Sequence, residues 1–383
     1  MKLISVVGAR PNFMKIAPFI RAIQYHNSQD NPNFDHILVH TGQHYDDRMS
    51  TTFFSSLGIP DPDINLEIGS GSHAFQLGNT MIQFEKVLLE QKPDWVVVVG
   101  DVNATLSCSV IAKKMGVKVC HIEAGLRSGD LGMPEEINRL VTDRLSDLLL
   151  TPDPLSSENL RKEGIAEEKI HFVGNIMIDT LEYNRTKAEN LELLHIVTEN
   201  RVLKTQDASF SLNDKEYALL TLHRPSNVDQ YETIRDLIHF IVDELSREFK
   251  VVWPVHPRTL KQLQLFGLWE NLVNQPGIIM LEPVDYFEML RLTKGARILF
   301  TDSGGLQEES CVLGIPCLTL RDNTERPITL REFGGLNVLV GNDIERIRRE
   351  YELTINQNHS PFRPDLWDGE TATRIVDILL KTA

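Results

Sequence analysis

Carboxylates and arginines crowd into one short segment, His121–Arg139, which directly follows an apolar run. Six charged residues lie in this loop and helix start: Glu123, Arg127, Asp130, Glu135, Glu136 and Arg139. An open α/β sheet keeps its active site where strands end and open into glycine-containing loops. Several carboxylates that converge there suit proton transfer at carbon, because burial and neighbouring charges push their pKa values apart. The alternative is an acidic surface loop with helix-capping residues.

Two other strand ends in the first half also carry charge. Gly8–Lys15 turns from a predicted strand into a helix, where Arg10 and Lys15 add positive charge to an N-terminus that already attracts anions. Its glycine spacing matches neither the dinucleotide fingerprint nor a P-loop, and a plain strand-to-helix turn is the alternative. Asp101 follows a buried-looking apolar run. Aspartate commonly caps helices, but Glu123 also ends a strand, and this coincidence favours a catalytic role for both.

In the second half, a glycine-rich turn opens a predicted helix. Backbone N–H groups of Ser303, Gly304 and Gly305 can bind a diphosphate there, because the helix dipole favours negative charge. Glu308 and Glu309, one turn further on, are candidates for binding ribose hydroxyls. A glycine-rich turn that binds nothing is the alternative.

Two histidines follow strands in the same half. His223 and Arg224 come after one strand, and His256 comes after the next. Isolated histidines are more often structural, but two at carboxyl strand ends of one domain favour ligand contact. The polar loop Thr324–Pro327, which contains Arg326, can lie beside them.

Short apolar runs alternate with helical patterns along the chain, as expected for parallel α/β layers. The predicted strands are Leu3–Val7, Ile37–His40, Trp95–Val99, Val117–His121, Asp147–Leu150, Tyr217–Leu222, Val251–Val255, Ile278–Leu281, Ile298–Thr301, Cys317–Leu320 and Val338–Val340. This rhythm predicts an α/β fold of two Rossmann-like doubly wound domains that face each other over a cleft. We expect an N-terminal domain over residues 1–173, a C-terminal domain over 174–369, and a final helix over 370–383 that can pack back on the N-terminal domain.

The composition fits a two-domain enzyme, with 383 residues, of which 42% are apolar and 24% charged. The net charge of -15 argues against a nucleic-acid partner. No apolar stretch approaches the roughly 20 residues that span a bilayer, and the N-terminus has the pattern of a strand instead of a signal peptide. The four cysteines lack metal-type spacing and lie in apolar surroundings, which predicts a reducing, cytoplasmic location.

Taken together, these motifs resemble the non-hydrolysing UDP-N-acetylglucosamine 2-epimerases over nearly the whole chain. The matching elements are Gly8–Lys15, Thr41–His44, Gly100-Asp101, His121–Arg139, Gly174-Asn175, His223-Arg224, Pro254–Pro257, Asp302–Glu309 and Arg321–Pro327. The resemblance implies a glycosyltransferase-B-like pair of domains and a homodimer, with no NAD, metal or other cofactor. It also implies reversible inversion at C2 of the UDP-sugar, to UDP-N-acetylmannosamine for surface polysaccharides. UDP leaves C1 as C2 loses its proton, and a 2-acetamidoglucal is held until C2 is reprotonated and UDP returns.

The resemblance further implies roles for individual residues. The catalytic carboxylates are Asp101, Glu123 and Glu135, with Asp101 and Glu123 moving the C2 proton, while His223 favours the departure of UDP. The remaining substrate contacts are Arg10, Lys15, Arg139, Asn175, Arg224, His256, Ser303, Gly304, Gly305, Glu309 (to the ribose) and Arg326. Gln43 and His44 match a regulatory turn at which bacterial members often bind a second substrate molecule.

Three departures from the family pattern bear on function. His223-Arg224 is followed by Pro-Ser-Asn in place of Arg-Glu-Asn, which removes an arginine from phosphate binding. Asp46 stands where glutamine is usual, and Gly69–His73 lacks the usual arginine. We therefore predict weak or absent substrate activation. The same departures leave open a modified substrate, such as a UDP-linked uronic acid or deoxy sugar.

Three other activities compete with this interpretation. A hydrolysing relative usually carries Arg-Ala-Asp after the first glycine and Gly-Gly-Glu in place of Glu123-Ala-Gly125, unlike this chain. A glycosyltransferase of the same architecture would use Gly304-Gly305 for UDP without needing three carboxylates together. A non-enzymatic sugar-nucleotide binding module has no use for clustered carboxylates at all.

Overall fold

Two α/β units make up the chain. The first comprises Met1–Thr180 together with Pro364–Ala383, and the second comprises Leu181–Arg363. The computed structural model describes residues 1–29, 34–42, 58–203 and 211–382, and it describes Arg10 and Pro11 by their backbone alone.

The first unit is built on a seven-stranded sheet with helices between the strands. Its strands are β1 (Lys2–Val7), β2 (Asp35–His40), β3 (Ile64–Asn65), β4 (Trp95–Val99), β5 (Lys118–Ile122), β6 (Leu148–Thr151) and β7 (Ile170–Phe172). The helices are α1 (Arg10–Asn27), α2 (His73–Gln91), α3 (Asn103–Lys114), α4 (Pro134–Leu145) and α5 (Pro154–Lys162), followed by α6 (Ile176–Glu189), which begins in this unit.

The second unit is built on a six-stranded sheet. Its strands are β8 (Tyr217–Thr221), β9 (Lys250–Pro254), β10 (Ile278–Leu281), β11 (Ile298–Thr301), β12 (Cys317–Thr319) and β13 (Asn337–Leu339). Its helices are α7 (Leu193–Asn200), α8 (Pro225–Val228), α9 (Tyr231–Phe240), α10 (Ser246–Glu248), α11 (Pro257–Leu265), α12 (Trp269–Val273), α13 (Tyr286–Gly295), α14 (Gly304–Leu313) and α15 (Ile344–Ile355).

Both sheets are wound in the same order. The strands run β3-β2-β1-β4-β5-β6-β7 in the first and β10-β9-β8-β11-β12-β13 in the second, and each neighbouring pair is parallel. The order therefore reverses between β1 and β4 and again between β8 and β11. Such switch points, at the carboxyl ends of the strands, are where doubly wound sheets bind ligands. The predicted α/β class with two doubly wound sheets is confirmed.

The strands form from continuous apolar runs. β4 has the sequence Trp-Val-Val-Val-Val and is buried along its whole length, as expected for a parallel strand with helices on both faces. The predicted strands agree with the observed ones to within two residues at each end. Two short strands, Ile64–Asn65 and Ile170–Phe172, were not predicted, because two or three residues carry too little pattern.

Two helix arrangements in the first unit bear on later sections. α3 contacts both α2 and α4, so the three helices form one layer. The last helix, α16 (Thr371–Lys381), packs against α1. The Asp179 carboxylate of α6 accepts hydrogen bonds from the N–H groups of Thr371 (3.1 Å) and Ala372 (2.7 Å) at its start. No helix in the described ranges is long and apolar enough to cross a membrane.

Candidate active site

A buried ion pair lies at the switch point of the first sheet. Lys15 Nζ, in the second turn of α1, contacts Glu123 Oε2 just beyond β5, and both side chains are almost fully buried. Glu123 has a φ of 73°, a left-handed conformation that residues other than glycine seldom adopt. Gly100 makes room for the pair: a Cβ there would lie 3.1 Å from Lys15 Nζ and 3.4 Å from Glu123 Oε2. The Lys15–Glu123 pair, with its strained glutamate, therefore lies against the backbone of Gly100 with no side chain between them.

Asn12 fixes the turn that leads to Lys15. Its Oδ1 accepts hydrogen bonds from the N–H groups of Gly8 (3.3 Å) and Ala9 (3.1 Å), and its Nδ2 donates to the carbonyl of Val99 at 2.8 Å. One carboxamide therefore ties the end of β1 to the end of β4. Asn12 lies inside a predicted motif, but we assigned it no role.

Arg139 lies between two carboxylates, those of Asp101 and Glu136. Its guanidinium contacts Asp101 Oδ2, and it contacts Glu136 Oε2 at 2.7 Å. Glu136 also accepts hydrogen bonds from the backbone N–H groups of Ser128 and Gly129. Burial opposes the ionisation of Glu136, but these N–H groups and Arg139 outweigh it and lower its pKa. Arg139 was predicted to bind substrate, and its placement shows a guanidinium already engaged by two acids.

Asp101 and Glu135 are more exposed to solvent than Glu136 and have fewer partners. The residue at the N-cap of α3 is Val102, so Asp101 does not cap that helix, and a quarter of its side chain is exposed. Glu135 is half-buried in the first turn of α4, and no hydrogen bond or ion pair engages it within the described residues. We call Lys15, Gly100, Asp101, Glu123, Glu135, Glu136 and Arg139 the Glu123 cluster.

A buried aspartate organises the switch point of the second sheet. Asp302 Oδ2 accepts hydrogen bonds from the N–H groups of His223 (2.9 Å) and Arg224 (2.8 Å) and from Asn227 Nδ2 (2.9 Å). Its Oδ1 lies 2.7 Å from His223 Nδ1. Burial opposes ionisation, but His223 and the backbone N–H groups keep the pKa of Asp302 below its usual value.

This aspartate orients the imidazole of His223. Because a carboxylate only accepts, His223 Nδ1 donates, and Nε2 has no hydrogen-bond partner within the described residues. The ring is 37% exposed, and its centroid lies 5.6 Å from that of His256. His256 caps α11 by accepting the Arg258 N–H at Nδ1. Arg224 Nε is buried without an acceptor among the described residues. His223, Arg224, Asn227, His256 and Asp302 form what we call the Asp302 cluster.

The glycine-rich start of α14 departs from the prediction at one amide. The N–H of Ser303 donates to Thr301 Oγ1 at 3.0 Å, so it is already used within the turn. The N–H groups of Gly304 and Gly305 lie in the first turn of α14, where no intrahelical acceptor exists. A Cβ on Gly304 would lie 2.7 Å from Glu325 Oε1, whereas one on Gly305 would meet nothing within 4 Å among the described atoms. Two of the three predicted amides thus remain available to an anion.

Acidic residues of α14 lie behind this turn. Arg326 pairs with Glu308 (2.8 Å) and with Glu325. Burial raises the pKa of Glu309 to about 8. The negative charge of Glu308 also raises this pKa, whereas the Tyr286 hydroxyl lowers it. The predicted role of Glu309, binding ribose, stays a prediction.

The remaining predicted residues lie elsewhere or outside the described parts. Asn175 is fully buried, and its Oδ1 accepts the Met177 N–H at 2.9 Å at the start of α6. Gln43 and His44 lie outside the described residues, as does the side chain of Arg10. No group of three or more potential metal-binding side chains is present in the described ranges.

Comparisons with known proteins agree on one family. Residues 26–380 match the sequence profile of the family described as UDP-N-acetylglucosamine 2-epimerase. A UDP-N-acetylglucosamine 2-epimerase of Methanocaldococcus jannaschii is 42% identical over 380 residues, which cover 99% of each chain. The crystal structure of the M. jannaschii enzyme in complex with UDP-GlcNAc and UDP matches with a TM-score of 0.86 and 40% identity over 100% of both chains.

The chain belongs to the UDP-N-acetylglucosamine 2-epimerase family. The resemblance inferred from its motifs is therefore confirmed. One relative has a different substrate in its name: the UDP-2,3-diacetamido-2,3-dideoxy-D-glucuronate 2-epimerase of Pseudomonas aeruginosa is 35% identical and covers 100% of both chains. Family membership thus leaves more than one UDP-sugar open.

Sequence reasoning missed several residues that hold the site together. Besides Asn12, these are His121, Asp143, Asn227 and Asp302, each of which bonds a backbone group of a strand-end segment. All five are polar residues in or next to motifs, at positions where the fold buries them. A search for polar residues inside otherwise apolar strand ends would have found His121 and Asp302.

Proposed function

We propose that this protein interconverts UDP-N-acetylglucosamine and UDP-N-acetylmannosamine as an isomerase. A carboxylate takes the C2 proton, the C1–O bond breaks with its electron pair leaving on UDP, and a C1–C2 double bond forms. A proton then returns to the opposite face of C2, and a UDP oxygen adds back at C1. The observation that carries the proposal is the buried Lys15–Glu123 pair at the switch point, in a chain of this family.

The Glu123 cluster supplies the acids and bases. Asp101 follows β4, Glu123 follows β5, and Glu135 lies in the first turn of α4. General acid–base catalysis by such carboxylates contributes about 10²–10⁴-fold in rate. Arg139 and Lys15 are cations that pair with Asp101 and Glu123 and orient them. Glu136 is committed to backbone N–H groups, so we assign it a structural role.

The Asp302 cluster binds the leaving diphosphate and stabilises its negative charge. His223 Nε2 and the guanidinium of Arg224 provide donors without partners in the described residues. The first-turn amides of Gly304 and Gly305 add a helix N-terminus, which stabilises negative charge. Donors fixed in advance at a site of developing charge lower the barrier to its formation.

The decisive experiment is NMR of the purified protein with UDP-N-acetylglucosamine in D2O. We expect UDP-N-acetylmannosamine that carries deuterium at C2. Free UDP with free N-acetylmannosamine would instead indicate the hydrolysing reaction, and an unchanged spectrum would contradict the proposed substrate.

A modified UDP-sugar is the second candidate. The P. aeruginosa relative named for a diacetamido uronic acid favours it, since it matches the full chain. The same deuterium assay with UDP-2,3-diacetamido-2,3-dideoxyglucuronate tests it. A kcat/KM higher than that for UDP-N-acetylglucosamine would make the uronic acid the physiological class.

A homodimer is also proposed, with two chains paired through the α2–α4 layer. Phe75, Ile82 and Leu89 are exposed at seven-residue spacing along α2, and Ile137 and Val141 are exposed on α4. Exposed apolar side chains repeated along the helices of one layer indicate an interaction surface. Light scattering should give the mass of a dimer, and Ile82→Lys should shift it toward a monomer.

The cytoplasm is the compartment we propose. Its reducing conditions fit four buried cysteines that form no disulfide.

A further inference from the structure

His121 is a fully buried histidine on β5, two residues before Glu123. Its Nε2 lies 2.8 Å from the carbonyl oxygen of Gly100, and its Nδ1 lies 2.6 Å from Asp143 Oδ1. A carbonyl oxygen only accepts hydrogen bonds, so Nε2 carries a hydrogen. If Nδ1 carried none, its lone pair would face a carboxylate oxygen. Both ring nitrogens are therefore protonated, provided that Asp143 is ionised.

Asp143, on α4, is held in its ionised form from three sides. Its Oδ2 pairs with Arg127 Nη1 at 2.7 Å and accepts the Gly125 N–H at 3.0 Å. Burial opposes ionisation, but His121 and Arg127 keep the pKa of Asp143 below its usual value. Arg127 is balanced in turn by Glu163 at 2.7 Å. The charged groups around the imidazole are therefore Asp143 directly, with Arg127 and Glu163 beyond it.

The hydrogen bonds of His121 and of its partner Asp143 reach the three segments that carry the proposed catalytic carboxylates. Gly100 directly precedes Asp101, Gly125 follows Glu123 by two residues, and α4 carries both Glu135 and Asp143. The middle segment is tightly packed, because a Cβ on Gly125 would lie 2.3 Å from the carbonyl oxygen of Ser156.

We propose that His121, as an imidazolium, is a positioning residue that holds the Asp101, Glu123 and Glu135 segments in fixed positions relative to one another. It donates to the first segment through Gly100 and to the third through Asp143, and it lies on the strand that ends in the second. This inference rests on the proposed function, which defines the work of those carboxylates. It makes the rate of C2 proton transfer, and not the affinity for UDP, depend on His121.

Nitrogen-15 NMR of the unliganded wild-type protein near pH 7 tests the charge. His36 on β2 provides an internal reference, since burial lowers its pKa to about 4 and its Nε2 is 2.8 Å from Ser5 Oγ. We expect two protonated ring nitrogens for His121, assigned by the signal lost in His121→Gln, and a neutral ring for His36. A neutral tautomer at His121 would overturn the proposal.

Kinetics of His121→Gln test the positioning. We expect kcat for C2 exchange to fall about 100-fold, as for small misplacements of reacting groups, while KM and the stoichiometry of UDP binding by calorimetry change less than about threefold. The matched control His36→Gln should keep wild-type kcat. A UDP stoichiometry that falls in step with kcat would mean a loss of folded protein only and would overturn the proposal, as would an unchanged kcat.

A second variant covers the case in which His121→Gln does not fold. Arg127→Gln leaves the His121–Asp143 pair in place and removes the cation behind it, so kcat should fall about tenfold with KM unchanged. A wild-type kcat in this variant would overturn the proposed network. If the wild-type protein itself fails to exchange C2 of either UDP-sugar, the proposed function fails. The NMR experiment still tests the charge of His121, because it does not depend on that activity.

Discussion

The two sheets hold their buried carboxylates in different ways. Glu123 faces a lysine cation from a strained backbone, whereas Asp302 accepts two backbone N–H groups and the amide of Asn227. An ion pair can exchange one charged partner for a substrate group, but Asp302 cannot move without leaving three donors unpaired, one of them fully buried, which is costly. Burial alone therefore does not identify a reactive carboxylate. The partners of each carboxylate are the basis on which we assign the first to proton transfer and the second to orienting His223.

The largest expected effect is at the first of these carboxylates. Glu123→Gln should lower kcat for C2 exchange by about 10³-fold, because the amide cannot take the proton. UDP affinity should stay close to wild type. Deuterium incorporation by NMR measures the rate, and Glu168→Gln, at an exposed position, is the matched control. Near wild-type exchange would remove the distinction between the two sheets.

The second effect tests the histidine that Asp302 aims. His223→Asn should lower kcat by about 10²-fold, since an oriented donor to the leaving diphosphate is lost. His239→Asn, on the exposed face of α9, is the control. If His223→Asn raises KM alone and leaves kcat intact, then His223 binds the ground state and the aiming role is wrong.

A smaller effect separates the two glycines of α14. Gly305→Ala should leave stability within about 0.5 kcal/mol and raise KM for the UDP-sugar about tenfold, because its Cβ meets nothing in the described chain but would face a bound diphosphate. Gly304→Ala should instead destabilise by about 1–3 kcal/mol through its clash with Glu325 and Arg326. Urea unfolding and steady-state kinetics of both variants give the comparison, and equal KM values for the two would contradict it.

The smallest effect concerns pH and a third buried acid, Glu309. Burial raises its pKa to about 8 in the folded protein, above the ordinary value of 4.5, so the folded state retains a proton that the unfolded state loses. Its contribution to the free energy of unfolding is thus fully present below about pH 4.5 and is lost as the pH rises toward 8. Glu309→Gln should flatten this decline by at least about 1 kcal/mol. Urea midpoints between pH 5 and pH 8 measure it, and parallel curves for the two proteins would exclude the effect.

The sheets could be predicted well from sequence, and the contacts less well. Parallel strands covered on both faces give unbroken apolar runs, such as Trp95–Val99, that single them out without an alignment. The strand ends after β4 and β5 led to the expectation that Asp101 and Glu123 act together. Lys15 was expected to bind UDP, and its pairing with Glu123 emerged only from the structure.

The sequence does not reveal which polar groups form hydrogen bonds with each other. Glu135 and Glu136 are adjacent and chemically identical, yet Glu136 alone reaches the N–H groups of Ser128 and Gly129, because helix geometry turns the two side chains in different directions. Likewise, the Ser303 amide looked available until the structure showed its bond to Thr301. Such choices are set by local backbone angles that residue types do not reveal.

The left-handed backbone at Glu123 has a consequence for how this protein can evolve. A non-glycine residue in that conformation costs on the order of 1 kcal/mol or more. Replacing the pair together, as Lys15→Met with Glu123→Gly, removes both the strain and the buried charges, so the double variant should resist denaturant better than the natural chain while doing no chemistry. Stability and the proposed activity therefore have opposite requirements at this position, and selection for stability alone would discard the residue to which we assign the C2 proton transfer.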